Sequence, residues 1–285
     1  MSFARRPLFF TETDGRVICD LCPKKCDIKN GHFGVCGVRG NKGGRGIIPF
    51  SGFITSLAND PIEKKPLLHF NPGTRILSLG FTGCNLNCPF CQNWRISQNT
   101  DVPGKYMTPE EIVSAAFKYN SPSVAYTYSE PLVHAEYVLE CMKIARGHGL
   151  ANVLVTNGCV NYNVAEEFFK LTDAINVDLK TISSDMYKKT LGGELKTVLD
   201  FIRLGAWMGV HIEVTTLVVP GLNDTAEELD EIARFIAGLR EDIPWHLTAY
   251  HPEYRWNAPP TDRDFLVNAA IEARKILRYV HTGNI

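Results

Sequence analysis

The chain has 285 residues, with 30 Lys or Arg against 31 Asp or Glu for a net charge of −1, and is 45% hydrophobic and 21% charged. Those values exclude a disordered or fibrous chain and one that coats nucleic acid, and no run reaches the roughly 18 uninterrupted apolar residues of a membrane span. Arg5 and Arg6 invite a twin-arginine export reading, but the apolar stretch from Pro7 to Phe10 is too short for a signal core, so the segment reads as a lead-in to a cytoplasmic protein.

Residues 1–71 lack long periodic segments and are rich in Gly, Lys and Cys. They read as a Cys-rich appendage of loops, held by something other than a large apolar core. The Gly-rich stretch from Gly40 to Gly46 precedes no helix and is a flexible loop, not a phosphate cradle. From Pro72 onward the texture changes, and residues 72–285 form the second unit. Strands are predicted over 75–80, 123–128, 151–156, 174–179, 210–219 and 245–250. Helices are predicted over 109–119 (capped by Thr108), 132–148, 164–171, 185–204, 225–239 and 262–277. Six strand-helix pairs at this spacing imply an α/β fold with a parallel sheet, expected as a partial (β/α)6 barrel; an open doubly wound sheet is the rival, since periodicity does not decide closure. In either case ligands belong at the C-terminal ends of the strands. Those ends carry Thr82-Gly83-Cys84, Ser129-Glu130-Pro131, Asn157-Gly158-Cys159, Asp178-Leu179-Lys180, Pro220-Gly221 and Tyr250-His251-Pro252.

Nine cysteines, an odd number, argue against a disulfide framework, and seven fall in two tight groups. Cys84, Cys88 and Cys91, at C-x3-C-x2-C spacing, lie on the loop leaving the first strand. Structural zinc and an ordinary cubane each take four ligands, so three thiols on one loop imply a metal site with an open coordination position. The bland alternative is three buried thiols packed as small apolar residues. Cys19, Cys22, Cys26 and Cys36 make a complete four-thiol set at C-x2-C-x3-C-x9-C, suited equally to zinc and to an auxiliary [4Fe-4S] cluster. Six Lys or Arg against two Asp between Cys19 and Arg45 read as a solvated surface that eases accumulation of thiolate charge. Cys141 is expected in the core of a helix. Cys159, at the presumed mouth, is a candidate nucleophile with no His or Asp tied to it by sequence.

The three-cysteine loop, with Phe90 before the third Cys, resembles that of the radical S-adenosylmethionine (SAM) enzymes. Cys19-Asp-Leu-Cys22-Pro-Lys-Lys-Cys26, Gly34-Val-Cys36-Gly-Val-Arg39, Asp60-Pro-Ile-Glu-Lys-Lys-Pro66, Cys91-Gln-Asn-Trp94 and Tyr126-Thr-Tyr-Ser-Glu-Pro131 narrow the resemblance to the radical SAM member of the AmmeMemoRadiSam system. That family stands close to the pyruvate formate-lyase activating enzymes, which install glycyl radicals. The resemblance implies a [4Fe-4S] cluster on Cys84, Cys88 and Cys91 whose fourth iron chelates SAM, and whose reduction yields a 5′-deoxyadenosyl radical that abstracts hydrogen from a partner. It also implies SAM contacts from Phe90, from Ser129 and Glu130 (the latter facing the ammonium, with Tyr128 and Ser129 where activating enzymes carry glycines), and from Thr156, Asp178 and Lys180 around the carboxylate. A monovalent cation near Asp178 is part of that expectation. Val218, Pro220, Tyr250 and His251 are expected to wall the adenine, though His251 is equally a structural histidine, and an Asp-x-Lys pair is otherwise a surface ion pair. The implied partners are an external one-electron reductant and a protein or small-molecule substrate, with Memo-like and Ammecr-like proteins as candidates and neither nucleic acid nor membrane. Modification of a small molecule or lipid is the alternative activity; a non-catalytic iron-sulfur carrier or scaffold is the alternative of another class.

Overall fold

The computed structural model describes residues 8–102 and 104–285, so the Arg5 and Arg6 lead-in lies outside the described residues. Its central sheet has eight strands: β1 (Ser56–Pro61), β2 (Arg75–Gly80), β3 (Ser123–Thr127), β4 (Ala151–Thr156), β5 (Ala174–Asp178), β6 (His211–Val218), β7 (Trp245–Ala249) and β8 (Val280–Gly283). Every strand pairs with its neighbour in sequence, all in parallel except β1, which runs antiparallel to β2. This unbroken order settles the choice left open by periodicity. A doubly wound sheet reverses its strand order at a switch point, whereas right-handed crossovers in one direction curl the sheet toward a barrel with its helices outside. Because β1 and β8 are not paired, the barrel stays open along one seam.

The helices of eight residues or more are α1 (Pro109–Lys118), α2 (Ala135–Gly147), α3 (Tyr162–Phe169), α4 (Leu195–Trp207), α5 (Ala226–Leu239) and α6 (Arg263–Ala273). Thr108 closes a full capping box with Glu111 at α1, while Thr225 and Asp262 accept from Glu228 N–H and Phe265 N–H at α5 and α6. Residues 185–204, expected as largely helical, are interrupted by a π turn (Tyr187–Leu191) that ends at Gly192 with φ of 69°. The interruption makes room for the cysteine loop: a Cβ on Gly193 would lie 2.5 Å from Leu86, and Asn87 N–H donates to Leu191 O at 2.8 Å. Strands β1 and β8 were not anticipated. The first precedes Pro72, so the change of texture there is no boundary of the sheet. Among the described residues no helix is long and apolar enough to cross a membrane.

Outward-facing strand residues such as Leu77, Leu79, Ile175, Val177, Ile212, Val214 and Leu247 join the helices in the main core. The inner face follows a different rule. Segment 62–70 enters the barrel and packs Ile62, Leu67 and Phe70 on Ile76, Ala125, Val153 and Ala174, forming a floor. Two inward polar residues tie that floor to the wall. Asn176 Nδ2 donates to Pro66 O at 2.7 Å, and the fully buried Glu213 accepts from Leu68 N–H at 3.0 Å and His69 N–H at 2.8 Å. Glu213 also accepts from His246 Nε2 at 2.6 Å and His211 Nε2 at 3.0 Å.

Burial alone would push the Glu213 carboxyl up, but the hydrogen bonds from His211, His246 and the two backbone N–H groups outweigh it and hold it at about 2. A depressed folded value means stability that is present above the unfolded carboxylate range near 4.3 and lost as the pH falls toward 2. The loss is expected to be about 3 kcal/mol, measured by denaturant unfolding between pH 5 and pH 2. Glu213→Gln should flatten that pH dependence; an unchanged slope in the variant would show that the carboxylate does not clamp the floor.

The N-terminal segment adds short antiparallel pairs, Arg16–Cys19 with both Phe10–Thr13 and Asp27–Ile28, and Gly40–Lys42 with Arg45–Ile47. A buried ion pair is among the contacts that anchor it to the barrel. The Arg39 guanidinium meets Glu136 of α2 in a two-pronged pair at 2.9 and 3.0 Å, with the arginine fully buried.

Candidate functional site

A cavity of about 710 Å³ opens at the C-terminal ends of the strands and runs down to the floor. Cys84, Cys88 and Cys91 all line it, as do Phe90, Thr127, Tyr128, Ser129, Thr156, Asp178 and Lys180. The three-cysteine loop at the end of β2 and the ends of β3, β4 and β5 therefore meet where the sequence placed them.

Two of the three thiols are held by neighbouring groups. Cys84 Sγ accepts from Leu86 N–H at 3.4 Å and Asn157 Nδ2 at 3.6 Å, and Cys91 Sγ lies 3.2 Å from Ser97 Oγ. Asn157 Nδ2 also donates to Asn85 Oδ1, and Gln98 Nε2 to Leu86 O, so the loop is fixed by side chains from both flanks. Burial pushes the Cys88 thiol up to about 12 and the Cys84 thiol well above its ordinary value. A metal that replaces the proton removes that penalty by neutralising the thiolates where they stand. Among the described residues no three His, Cys, Asp or Glu side chains are gathered to hold a single ion. A cubane takes one thiolate per iron, so its ligands stand wider apart than those around one ion, and three thiols opening onto one cavity suit it.

The polar wall fits a zwitterionic ligand. Ser129 Oγ is buried and has no hydrogen-bond partner although its residue lines the cavity. Asp178 Oδ2 and Lys180 Nζ pair at 3.0 Å on the same wall. Burial opposes charge on Lys180, but Asp178 and the Cys88 thiolate together hold the ammonium well above its ordinary range. Lys180 is thus a fixed cation beside the three-cysteine loop.

Glu130 stands apart from its expected role. It is fully buried and does not line the cavity; Oε1 accepts from Leu132 N–H at 3.0 Å and Thr156 Oγ1 at 2.7 Å, and Oε2 from Asn157 N–H at 2.9 Å. Instead of facing an ammonium it staples the ends of β3 and β4 together, and so positions Thr127, Ser129 and Thr156. Burial raises its carboxyl to about 7 against the pull of Asn157, Leu132 and Thr156.

The expected adenine wall is also displaced. None of Val218, Pro220, Tyr250 and His251 lines the cavity. On β6 the alternation turns Thr215 and Leu217 inward and Val218 outward into the core. Tyr250 turns its hydroxyl to Trp256 O, with Trp256 Nε1 bonded to Pro220 O at 3.1 Å, and His251 is exposed. Cys141 is buried in α2 as expected. Cys159 is buried behind the three-cysteine loop, its carbonyl accepting from Asn85 Nδ2 at 2.7 Å, and does not line the cavity.

Sequence reasoning missed two features. Lys65, nearly fully buried, bonds Asp60 Oδ2 at 2.7 Å and Tyr128 OH at 3.1 Å, joining the floor segment to the third strand's end. His246 and His281 line the cavity on neighbouring strands, with His281 Nε2 at 2.9 Å from His69 Nε2. The spacing of single histidines 35 or more residues apart carries no signal until the strands are in register.

Residues 79–236, more than half of the chain, match the Radical SAM superfamily. An uncharacterized protein of Methanocaldococcus jannaschii is 40% identical over 289 aligned residues, covering 99% of this chain and 85% of that one. The pyruvate formate-lyase-activating enzyme of Clostridium pasteurianum is 25% identical over 223 residues, covering 73% of this chain and 91% of that one. Among solved structures, a radical SAM methyltransferase from Sphaerobacter thermophilus superposes with a TM-score of 0.60 at 15% identity, over 75% of this chain and 67% of that one, and shows the same fold. Enzymes of this kind bind a [4Fe-4S] cluster and SAM, for which the three thiols and the polar wall are suited. With its cysteine loop, its strand order and its sequence all in agreement, the chain belongs to the Radical SAM superfamily.

Proposed function

We propose that the chain is an activating-type radical SAM enzyme that takes a hydrogen atom from a glycine, or a comparable C–H, of a partner protein. One observation carries this reading: the match to the Clostridium pasteurianum activating enzyme spans 91% of that protein, so the likeness extends far beyond the cysteine loop. Bound together, the cluster and SAM supply reductive cleavage to methionine and a 5′-deoxyadenosyl radical. Cys84, Cys88 and Cys91 would be the thiolates that hold that cluster. Ser129, whose hydroxyl is unpartnered, would meet the ligand's polar end, and Lys180, held in place by Asp178, would meet its carboxylate. The floor built from Ile62, Leu67 and Phe70 keeps water from the barrel's lower end. An external one-electron carrier supplies the electron, and Memo-like and Ammecr-like proteins are the partners this reading favours.

The cavity reaching His246 and His281 favours a second reading, modification of a small molecule, because hydrogen abstraction from a protein glycine needs no imidazoles at that depth. Isotope transfer separates the two. Anaerobic, reduced, cluster-loaded protein is given SAM and cell extract grown on deuterated glycine, divided into macromolecular and small-molecule fractions. Deuterium is expected in 5′-deoxyadenosine from the macromolecular fraction. Deuterium from the small-molecule fraction alone overturns the activating reading, and failure to cleave SAM at all revives the carrier.

A further inference from the structure

Asp60 and Lys65, from the Asp60-Pro-Ile-Glu-Lys-Lys-Pro66 motif, have no part in the chemistry described so far, yet they meet inside the barrel. Asp60 stands near the end of β1, opposite Ile76 of β2. Pro61 closes the strand, and Ile62–Lys64 make one tight turn in which Lys65 N–H donates to Ile62 O at 2.8 Å. That turn brings Lys65 back to Asp60. Its Nζ donates to Asp60 Oδ2 at 2.7 Å, and its side chain is 3% exposed against 69% for the adjacent Lys64. A buried ammonium persists only where partners replace its water. The second partner is Tyr128. Its hydroxyl donates to the same Asp60 Oδ2 at 2.6 Å and accepts from Lys65 Nζ at 3.1 Å, while the ammonium lies 4.2 Å from the centre of the tyrosine ring.

What these groups grip is a strained piece of backbone. Tyr128 has φ of 70°, and Ser129 N–H donates to Thr127 O at 3.0 Å, so residues 127–129 form a γ-turn of the rare, strained form. Glycine adopts that conformation freely, but a tyrosine stays in it only when its surroundings hold it there. The ring has a berth of its own. A Cβ on Gly80 would lie 3.0 Å from Tyr128 Cδ2 and 2.9 Å from Ser56 Cβ, so the bare glycine leaves the ring room to reach Asp60. Thr127, Tyr128 and Ser129 all line the cavity, and Ser129 is the residue whose buried Oγ has no partner. A strained turn and an orphaned hydroxyl within the same three residues mark a wall shaped for a ligand.

We infer that Asp60 and Lys65 are positioning residues for SAM: by gripping Tyr128 they hold the 127–129 turn in the form that SAM meets. Both act through the tyrosine, whose hydroxyl they bind and whose ring carries the backbone of the turn with it. The clamp lets a bulky residue occupy a backbone position that suits glycine. The inference rests on the chain's family and not on the proposed protein substrate, so SAM affinity tests it whichever fraction gives up deuterium.

Binding of SAM to the full, cluster-loaded chain decides it, measured by anaerobic calorimetry and by the change that SAM makes in the electron paramagnetic resonance of the reduced cluster. Lys65→Met should weaken binding roughly tenfold. Tyr128→Phe, which removes only the hydroxyl, should weaken it several-fold. Iron content and the spectrum before SAM is added should match wild type in both, because neither residue supplies a thiolate. The loss should appear in KM for SAM and not in kcat, whereas a loss of folded protein would lower kcat. Tyr128→Gly tests the route. Glycine takes a φ of 70° unaided, so Lys65→Met should add no further loss of affinity in that background. Wild-type affinity in Lys65→Met or in Tyr128→Phe overturns the clamp, as does a full-sized Lys65→Met loss in the Tyr128→Gly background. If Lys65→Met does not fold, Tyr128→Phe still decides the matter.

Discussion

Replacing any one of Cys84, Cys88 or Cys91 by Ala is expected to abolish SAM cleavage entirely and to remove the iron held by that loop. Two thiolates hold a cubane too weakly for it to survive purification, and the family's chemistry needs the cluster before any substrate contact matters. The structure adds a reason why the three positions are not interchangeable with neighbouring polar groups. Ser97 Oγ approaches Cys91 Sγ at 3.2 Å, yet a neutral hydroxyl is a hard, weakly acidic ligand that does not replace a soft thiolate on iron. Leu86 N–H and Asn157 Nδ2 both donate to Cys84 Sγ, so Cys84→Ala also leaves two donors without their acceptor. Iron analysis and 5′-deoxyadenosine formation should fall together in each variant. Turnover retained in any of the three sinks the assignment.

The next largest effect is expected at a residue far from chemistry by sequence. Arg39→Met should destabilise the fold by about 3–5 kcal/mol, because it leaves Glu136 as an unpaired carboxylate in a dry site. The pair is two-pronged and both side chains are almost inaccessible, at 1% and 3% exposure, so water does not restore the lost partner. Arg39→Met/Glu136→Leu removes both charges and keeps the volume, and most of the stability should return. Chemical denaturation of the three proteins at one pH measures this. A single variant within about 1 kcal/mol of wild type, or a double variant no better than the single, would show that the pair contributes little.

Much of the architecture was legible because the relevant signals are local. Residues 151–156 and 174–179 are short apolar runs with polar ends, Thr108 and Glu111 form a capping box within four residues, and Cys84, Cys88 and Cys91 sit within one loop. What stayed hidden depends on contacts between distant parts of the chain. The barrel floor is a Pro-broken segment with no period of its own, and its clamp, Glu213, lies 145 residues from Leu68. Strand β8 has only four residues, with His281 and Thr282 breaking any apolar run. Glu130 was read by its charge, but its three donors from Leu132, Thr156 and Asn157 come together only once β3 and β4 are side by side. Tyr250 and His251 follow the strand's alternation on paper; the chain leaves that alternation at Ala249, where β7 ends.

The unbroken pairing order of β1 to β8 bears on how the molecule is made. Each main strand finds its partner in the strand delivered just before it, so the sheet can grow in the order of synthesis, without a central strand waiting for a late arrival. The floor segment breaks this sequence. It leaves the ribosome ahead of β2, while Glu213, which seals it, comes only with β6. Until then Ile62, Leu67 and Phe70 have only β2 to β5 to pack on, in a half-built barrel whose far wall is missing.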